Sequence, residues 1–305
     1  MKFLVTGAAG QLGRETVLAL QAAGEDVIGI DRQELDFSQP DQVADGIRAY
    51  QADWVINCAA YTHVDNAEQE QELAFRVNRD SARAVAEGVA ADGGRLLHVS
   101  TDFIFGGEQS HPYAEHDPAN PLGVYGQSKW EGEQAVQAVM ADAVILRTAW
   151  VYGSHGHNFV KTMLRLAAER DELRVVDDQI GTPAWTADIT RALLSLIKAD
   201  ASGVFNFTNE GVASWYDFAS EIIADARELG FPLKVKKISP IPSVDFPTPA
   251  TRPAYSVLSK VKIRQALDYP IPHWQESLFA MLKINKHSLS PRSVSQKSPL
   301  PPGEG

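Results

Sequence analysis

FLVTGAAGQLGRE, residues 3–15, decides the fold. A compact apolar run at 3–5 enters a loop carrying Gly7, Gly10 and Gly13, and an amphipathic stretch follows at 11–23. Glycines lack the side chains that would keep backbone N–H groups away from a pyrophosphate, and a helix N-terminus adds partial positive charge. The spacing is G-x-x-G-x-x-G, and glycines by themselves also mark ordinary turns. Context strengthens the reading: Asp31 ends the next apolar run, 24 positions after Gly7. An acid there accepts hydrogen bonds from an adenosine ribose, which suits NADH. Arg32, immediately after it, suits the 2′-phosphate of NADPH. Both cofactors stay open, and a plain turn cap is the other role for Asp31.

The pattern repeats outward from this loop. Apolar runs at 27–30, 54–56, 96–99 and 144–146 suit strands buried on both faces, with helical patterns at 40–50, 66–91 and 125–140 between them. Alternation of this kind predicts a Rossmann-type, doubly wound parallel α/β sheet, a dinucleotide-binding lobe over residues 1–150. Beyond it the alternation loosens. Helices are expected at 158–170, 186–198 and 214–229, with weaker strands at 173–176 and 204–207. Pro240, Pro242, Pro247, Pro249 and Pro253 stiffen an extended path. Residues 151–284 are therefore expected to form a smaller C-terminal substrate lobe, some of whose segments return to the main sheet. The Ser- and Pro-rich stretch 285–305 is expected to be a disordered tail.

Composition narrows the partners. The chain has 305 residues, 44% of them hydrophobic, enough for one large core or two lobes sharing a cleft. A net charge of −11 repels phosphate backbones, which argues against nucleic acid. The single cysteine, Cys58, forms no internal disulfide and builds no cysteine-based zinc site. No apolar run approaches the about 20 residues a bilayer span needs, and the opening run is shorter than a signal peptide requires. A cytoplasmic protein without a membrane partner is the expectation.

The reacting groups follow in chain order. Ser100 and Thr101 end the fourth apolar run, and Tyr125 and Lys129 lie four apart on one helical face. A phenol titrates near pH 10, and a neighbouring ammonium would lower that value so that Tyr125 exchanges a proton with a carbonyl oxygen. Thr101 would hydrogen-bond the same oxygen. Elsewhere in the cleft, Asp36 and Phe37 fall where an adenine would lie. The small residues of the run 57–60 allow a cofactor to approach the backbone. Cys58 reads as a small buried thiol rather than a nucleophile.

A Y-x-x-x-K pair alone is usually a solvated face. Following a glycine loop, an acid after the second strand and a Ser-Thr after the fourth, it resembles the extended short-chain dehydrogenase/reductase superfamily. Within it, YTHVDNAE at 61–68, STDFIFGG at 100–107, YGQSKWEGE at 125–133 and RTAWVYG at 147–153 resemble the dTDP-4-dehydrorhamnose reductase family. So do NFVKTMLRLA at 158–167, DDQIGTP at 177–183 and RPAYSVL at 252–258.

The resemblance implies reduction of a 4-keto group on a dTDP-sugar. It places Gly10, Gln11 and Leu12 at the pyrophosphate, and Asp31 at the ribose. Asp36 and Phe37 fall near the adenine, with Ala60, Tyr61 and Thr62 beside the cofactor. Lys129 goes to the nicotinamide ribose, and Thr101, Asp102 and Trp150 to the sugar. Arg252 is a candidate for the substrate diphosphate, with a surface salt bridge as its alternative. Thr251 stands where relatives often carry a second arginine. Phe103 replaces the Glu that sister 4,6-dehydratases use, and Gln11 replaces an aromatic residue common in epimerases. Homodimers and Mg²⁺ enter only through the resemblance, and no metal ligand is assigned; His155 and His157 read as solvent-facing. A non-catalytic regulator resembling the methionine adenosyltransferase β subunit is the rival from another class. A reductase of a different nucleotide-linked keto-sugar is the rival within this one.

Overall fold

The computed structural model describes residues 1–286. Strands β1 (Lys2–Thr6), β2 (Asp26–Ile30), β3 (Trp54–Asn57), β4 (Arg95–Thr101) and β5 (Val144–Thr148) are joined in one parallel sheet by a sixth strand, Gly203–Asn206. Their spatial order is Gly203–Asn206, β5, β4, β3, β1, β2. Successive side chains alternate between two cores, as a strand's period of two requires. Phe3, Val5, Ile56, Leu97 and Leu146 face one side, where α1 (Gln11–Ala22) and the helix Thr186–Lys198 pack. Leu4, Val55, Leu96 and Ile145 face the other, against α2 (Pro40–Arg48) and the helix Ser81–Ala91. The runs at 3–5, 54–56, 96–99 and 144–146 are thus strands with side chains packed on both faces, whereas β2, at the edge of the sheet, buries only Ile30 fully. β1 is paired by β2 on one side and β3 on the other, so the strand order reverses there and leaves a crevice at the carboxyl ends.

The strand Gly203–Asn206 lies parallel to β5, with Gly203 opposite Val144, so this late segment does return to the main sheet. The helix Thr186–Lys198 goes with it, its Thr190 hydroxyl 3.3 Å from that of Thr16 on α1. The remaining C-terminal elements enclose a separate core of Tyr152, Leu164, Phe218, Ile222, Trp274 and Leu278. The proline-rich stretch contributes a strand, Lys237–Ile241, that pairs with Glu172–Val176 and sets Pro240 opposite Val175. Of the tail expected from 285, residues 287–305 lie outside the described residues.

One helix reads differently in three dimensions. The continuous pattern at 66–91 is broken into Val64–Ala67, Gln71–Phe75, a single π turn Arg76–Asp80, and Ser81–Ala91. The π turn sits where the helix Val124–Val139 comes closest: a Cβ on Gly132 would be 2.0 Å from the Asn78 carbonyl oxygen. A bulge there turns the buried Asn78 side chain across to that neighbour, an alignment a regular helix would not give.

Candidate active site

Backbone contacts build the glycine turn. Gly7 adopts φ +65°, and a Cβ on it would lie 2.8 Å from the Ala59 nitrogen, so this loop is pressed against the end of β3. Gly13 is tighter still, since a Cβ would meet the Gly7 carbonyl oxygen at 2.2 Å. Gly10 caps α1 without any side-chain acceptor, so the first N–H groups of the helix are left to an outside anion. A cradle that a single methyl would fill, at an uncapped helix N-terminus, fits a dinucleotide pyrophosphate.

The side chains around the turn are committed elsewhere. Leu12 is buried in the core. Gln11 accepts a hydrogen bond of 2.9 Å from Asn158 Nδ2, which also donates to the Gly153 carbonyl. Asn158 Oδ1 in turn caps the helix Phe159–Glu169, and Lys161 Nζ holds the Ser154 and Gly156 carbonyls at 2.8 Å. The loop 153–158 therefore lies across the mouth of α1, and the Gln11 side chain reaches it. His157 is exposed as expected, but His155 is half-buried, its pKa lowered by burial and by the Arg14 and Lys161 charges.

At the ribose end, Asp31 Oδ1 accepts from the Gln33 N–H at 2.8 Å, so the turn-cap role is realised in this state. Arg32 is 79% exposed and pairs with Asp36 at 3.4 Å, leaving its guanidinium accessible to a phosphate. Asp36 is held below the usual carboxylate range, chiefly by the Ser38 N–H. Phe37 does not reach the cleft. It is buried with Leu4, Ile30 and Val43, where an apolar ring gains more than at an exposed adenine edge. Asp31→Ala is expected to weaken NADH more than NADPH, because only NADH relies on an acceptor at an unphosphorylated ribose. Titrating the variant with each cofactor checks this, and equal losses would remove Asp31 from ribose recognition.

Beyond β3, Thr62 is exposed and Ala60 half-buried, whereas the Tyr61 ring is buried and its hydroxyl donates to Glu70 Oε2 at 2.6 Å. Its backbone is clamped by Asn78, which accepts from the Tyr61 N–H at 2.9 Å and donates to the Tyr61 carbonyl at 3.1 Å. Asn78 Nδ2 also donates to Ser128 Oγ at 3.0 Å, and Ser128 donates to the Tyr125 carbonyl at 2.8 Å. Asn78 thus ties the cofactor-side loop to the Tyr125 helix. Nothing in the helical pattern around it marks it out.

Thr101, Tyr125 and Lys129 converge at the carboxyl ends of the central strands. Thr101 Oγ1 donates to Asp102 Oδ1 at 3.1 Å and accepts from the Phe103 N–H at 3.2 Å, which starts the turn Asp102–Ile104. Gly126 presses the helix onto that turn, a Cβ there falling 2.2 Å from the Phe103 oxygen. Lys129 is 2% exposed and donates to the Val99 carbonyl at 2.7 Å. Burial pushes its ammonium down to about 8, against an opposing pull from Glu133 and Cys58. That coupling sets Cys58 beside Lys129, and Gly7 packs on Cys58 and Ala59, so the group adjoins the glycine turn. Cys58 itself is pushed up to about 12 by burial, which keeps it a thiol at neutral pH.

The phenol behaves opposite to the sequence expectation. Burial pushes Tyr125 up to about 12, with Asp102 adding to the rise and the neighbouring Thr101 hydroxyl opposing it. The Lys129 ammonium is turned to the Val99 carbonyl. Tyr125 is therefore a protonated donor at neutral pH.

Asp102 lies deeper than expected: its side chain is 1% exposed, Oδ1 accepts from Thr101, and Oδ2 has no hydrogen-bond partner among the described residues. Burial raises it from 3.8 to about 6, opposed by Ser256 and Thr101. Across that window the folded protein holds a proton that the unfolded chain releases, so stability falls as pH rises. The ionised carboxylate then costs roughly 3 kcal/mol at neutral pH. Asp102→Asn is expected to raise stability at pH 7 and flatten its pH dependence below 6, read by urea unfolding. An unaltered slope would mean Asp102 does not titrate in this way.

Two substrate-side candidates have partners that their spacing did not foretell. Trp150 is part-exposed, packs against the core of Tyr152 and Phe218, and stacks on Trp215, its plane within 7° and its centroid 3.6 Å away. Arg252 forms a two-point ion pair with Asp65, at 3.0 and 2.8 Å, and a further contact to the Ala250 carbonyl. Here it joins the segment after β3 to the C-terminal lobe. Asp65 and Arg252 both lie in stretches that carried the family resemblance, yet nothing in their spacing told that they meet.

Residues 1–286 match the family described as the RmlD substrate binding domain. The dTDP-4-dehydrorhamnose reductase of Escherichia coli (strain K12) is 40% identical over 291 residues, covering 92% of this chain and 97% of that protein. The crystal structure of a dTDP-4-dehydrorhamnose reductase from Clostridium acetobutylicum ATCC 824 superposes with a TM-score of 0.88 at 40% identity, covering 94% and 100% of the two chains. That of Bacillus anthracis str. Ames, in complex with NADP, gives a TM-score of 0.87 at 37% identity over 92% and 99%.

Proposed function

From the premise that this chain belongs to the RmlD substrate-binding-domain family, we propose that it reduces dTDP-4-dehydro-L-rhamnose to dTDP-L-rhamnose with NADPH or NADH. The observation that carries the residue-level reading is the junction of Thr101, Tyr125 and Lys129 with the glycine turn, through Cys58 and Ala59. When bound, the reduced nicotinamide supplies a hydride to carbon 4 of the sugar. Tyr125, protonated at neutral pH, gives its proton to the carbon-4 oxygen as charge develops there. Thr101 hydrogen-bonds the same oxygen and fixes its place. The Lys129 ammonium turns from the Val99 carbonyl towards the cofactor ribose and offsets the charge left on the phenol. Gly7, Gly10 and Gly13, with the Gln11 and Leu12 N–H groups, cradle the pyrophosphate. Arg32 takes a 2′-phosphate where one is present, and Asp31 a free ribose hydroxyl.

A protonated phenol is the form that reduction needs, and Tyr125 holds its proton at neutral pH. Trp150 walls the sugar, and Arg252 can exchange Asp65 for the substrate diphosphate, since both groups offer paired oxygens to a planar fork. Among the described residues no three His, Cys, Asp or Glu side chains gather into a metal set, and no step is assigned to Mg²⁺. No helix among those residues is long and apolar enough to cross a membrane. The reading places the protein in the cytoplasm, as a homodimer of this chain and without a nucleic-acid partner, in keeping with its charge of −11.

Following NADPH absorbance with enzymatically generated dTDP-4-dehydro-L-rhamnose tests the reaction. Steady oxidation that depends on the sugar is expected. Tight cofactor binding without oxidation would move the reading to a regulatory dinucleotide-binding subunit.

A further inference from the structure

We infer that Trp215 is a positioning residue for the substrate wall, holding Trp150 in the one orientation that the sugar meets; this rests on the function proposed above. Trp150 has φ +45°, in the left-handed region. A bulky L residue is a rarity there and persists only where its surroundings over-determine it. Three contacts do so. The Trp150 carbonyl accepts from the Ala184 N–H at 3.2 Å, beside the bridge that pairs Val151 with Ala184. Gly181 passes so close to the indole that a Cβ there would lie 2.5 Å from Cε2. Trp215 supplies the third, a near-parallel ring with centroids 3.6 Å apart.

That overlap is not what two free indoles choose, since aromatic pairs favour offset or edge-on arrangements over a direct sandwich. The backbone around Trp215 imposes it. Trp215 opens the helix Trp215–Glu228 behind a reciprocal cap, in which Ser214 Oγ accepts from the Asp217 N–H at 3.0 Å and Asp217 Oδ2 accepts from the Ser214 N–H at 2.9 Å. Ser214 also pairs antiparallel with Ile180, next to the same Gly181 that touches Trp150. Phe159 packs on Trp215 at 4.7 Å, and Phe218 lies buried beyond. Trp215 is thus fixed by a capped helix and a strand pair, and Trp150 is fixed by Trp215. Both indoles remain part-exposed, so the pair offers a rigid, apolar surface of the kind that packs on the C–H face of a pyranose.

Trp215→Phe keeps an aromatic ring but shortens the overlap, and Trp215→Ala removes it. We expect KM for the keto-sugar, and Kd for dTDP-L-rhamnose by calorimetry, to rise roughly tenfold in the Ala variant and less in the Phe variant. NADPH affinity should stay at the wild-type value. Two parallel indoles this close couple their transitions, so the wild type should show an indole couplet in circular dichroism. The couplet should vanish equally in Trp215→Phe and Trp150→Phe, and change when dTDP-L-rhamnose saturates the wild type. A lost couplet with unchanged KM and Kd overturns the positioning role, as does an equal loss of NADPH affinity, which would mark Trp215 as merely structural. Absence of wild-type turnover would instead count against the proposed function.

Discussion

Tyr125→Phe should lose about 10²- to 10⁴-fold in kcat with the keto-sugar, the usual share of a positioned general acid. The loss should come without a change in NADPH affinity. The exchange removes one oxygen and leaves the ring in its edge contact with Phe103, whose centroid lies 5.6 Å away. Ser128 still donates to the Tyr125 carbonyl, a backbone group untouched by the substitution. What disappears is the phenol's proton, held at neutral pH. Single-turnover rates and a cofactor fluorescence titration separate the two terms, and kcat within a few-fold of wild type would remove Tyr125 from the reaction.

Lys129→Met should be nearly as damaging, and its pH profile is the more telling result. Burial has brought the ammonium down to about 8, so the charged form is depleted as pH rises through that value. A step that depends on the charge must weaken over the same interval. The wild-type kcat/KM should therefore fall on an alkaline limb near pH 8, while Tyr125, pushed up to about 12, stays protonated throughout. Lys129→Met should be slower at every pH and show no such limb. A variant that kept the limb would assign it to another group. Lys129 is a buried charge whose hydrogen bond goes to a carbonyl, and Glu133, its nearest opposing charge, is already engaged by Arg147 at 2.7 Å. Deleting the amine should accordingly leave the fold intact.

The parts of this molecule legible in the sequence are those that local chemistry dictates. Strands buried on both faces must be apolar throughout, so the central sheet was visible run by run. Gly7 and Gly13 were visible because backbone packed on backbone leaves no room for a Cβ. Tyr125 and Lys129 were visible because four residues make one helical turn. What stayed hidden depends on partners far away in the chain. The sign of the Tyr125 shift follows from burial. The Arg252–Asp65 pair spans 187 residues. Asp102 and Phe37 sit in suitable stretches, yet tertiary packing seals one under Thr101 and sinks the other into the core. The π turn that presents Asn78 answers to Gly132 on another helix, which no periodicity within 66–91 encodes.

The strand Gly203–Asn206 and the helix before it have a practical corollary for anyone wishing to exchange sugar specificity between relatives. A single splice after residue 150 would put the donor's outermost strand against β5, and its counterpart of Thr190 against Thr16, at contacts the two parents shaped separately. A workable chimera must leave 186–206 with the recipient and transplant the pieces on either side, because the chain crosses from one half of the molecule to the other more than once.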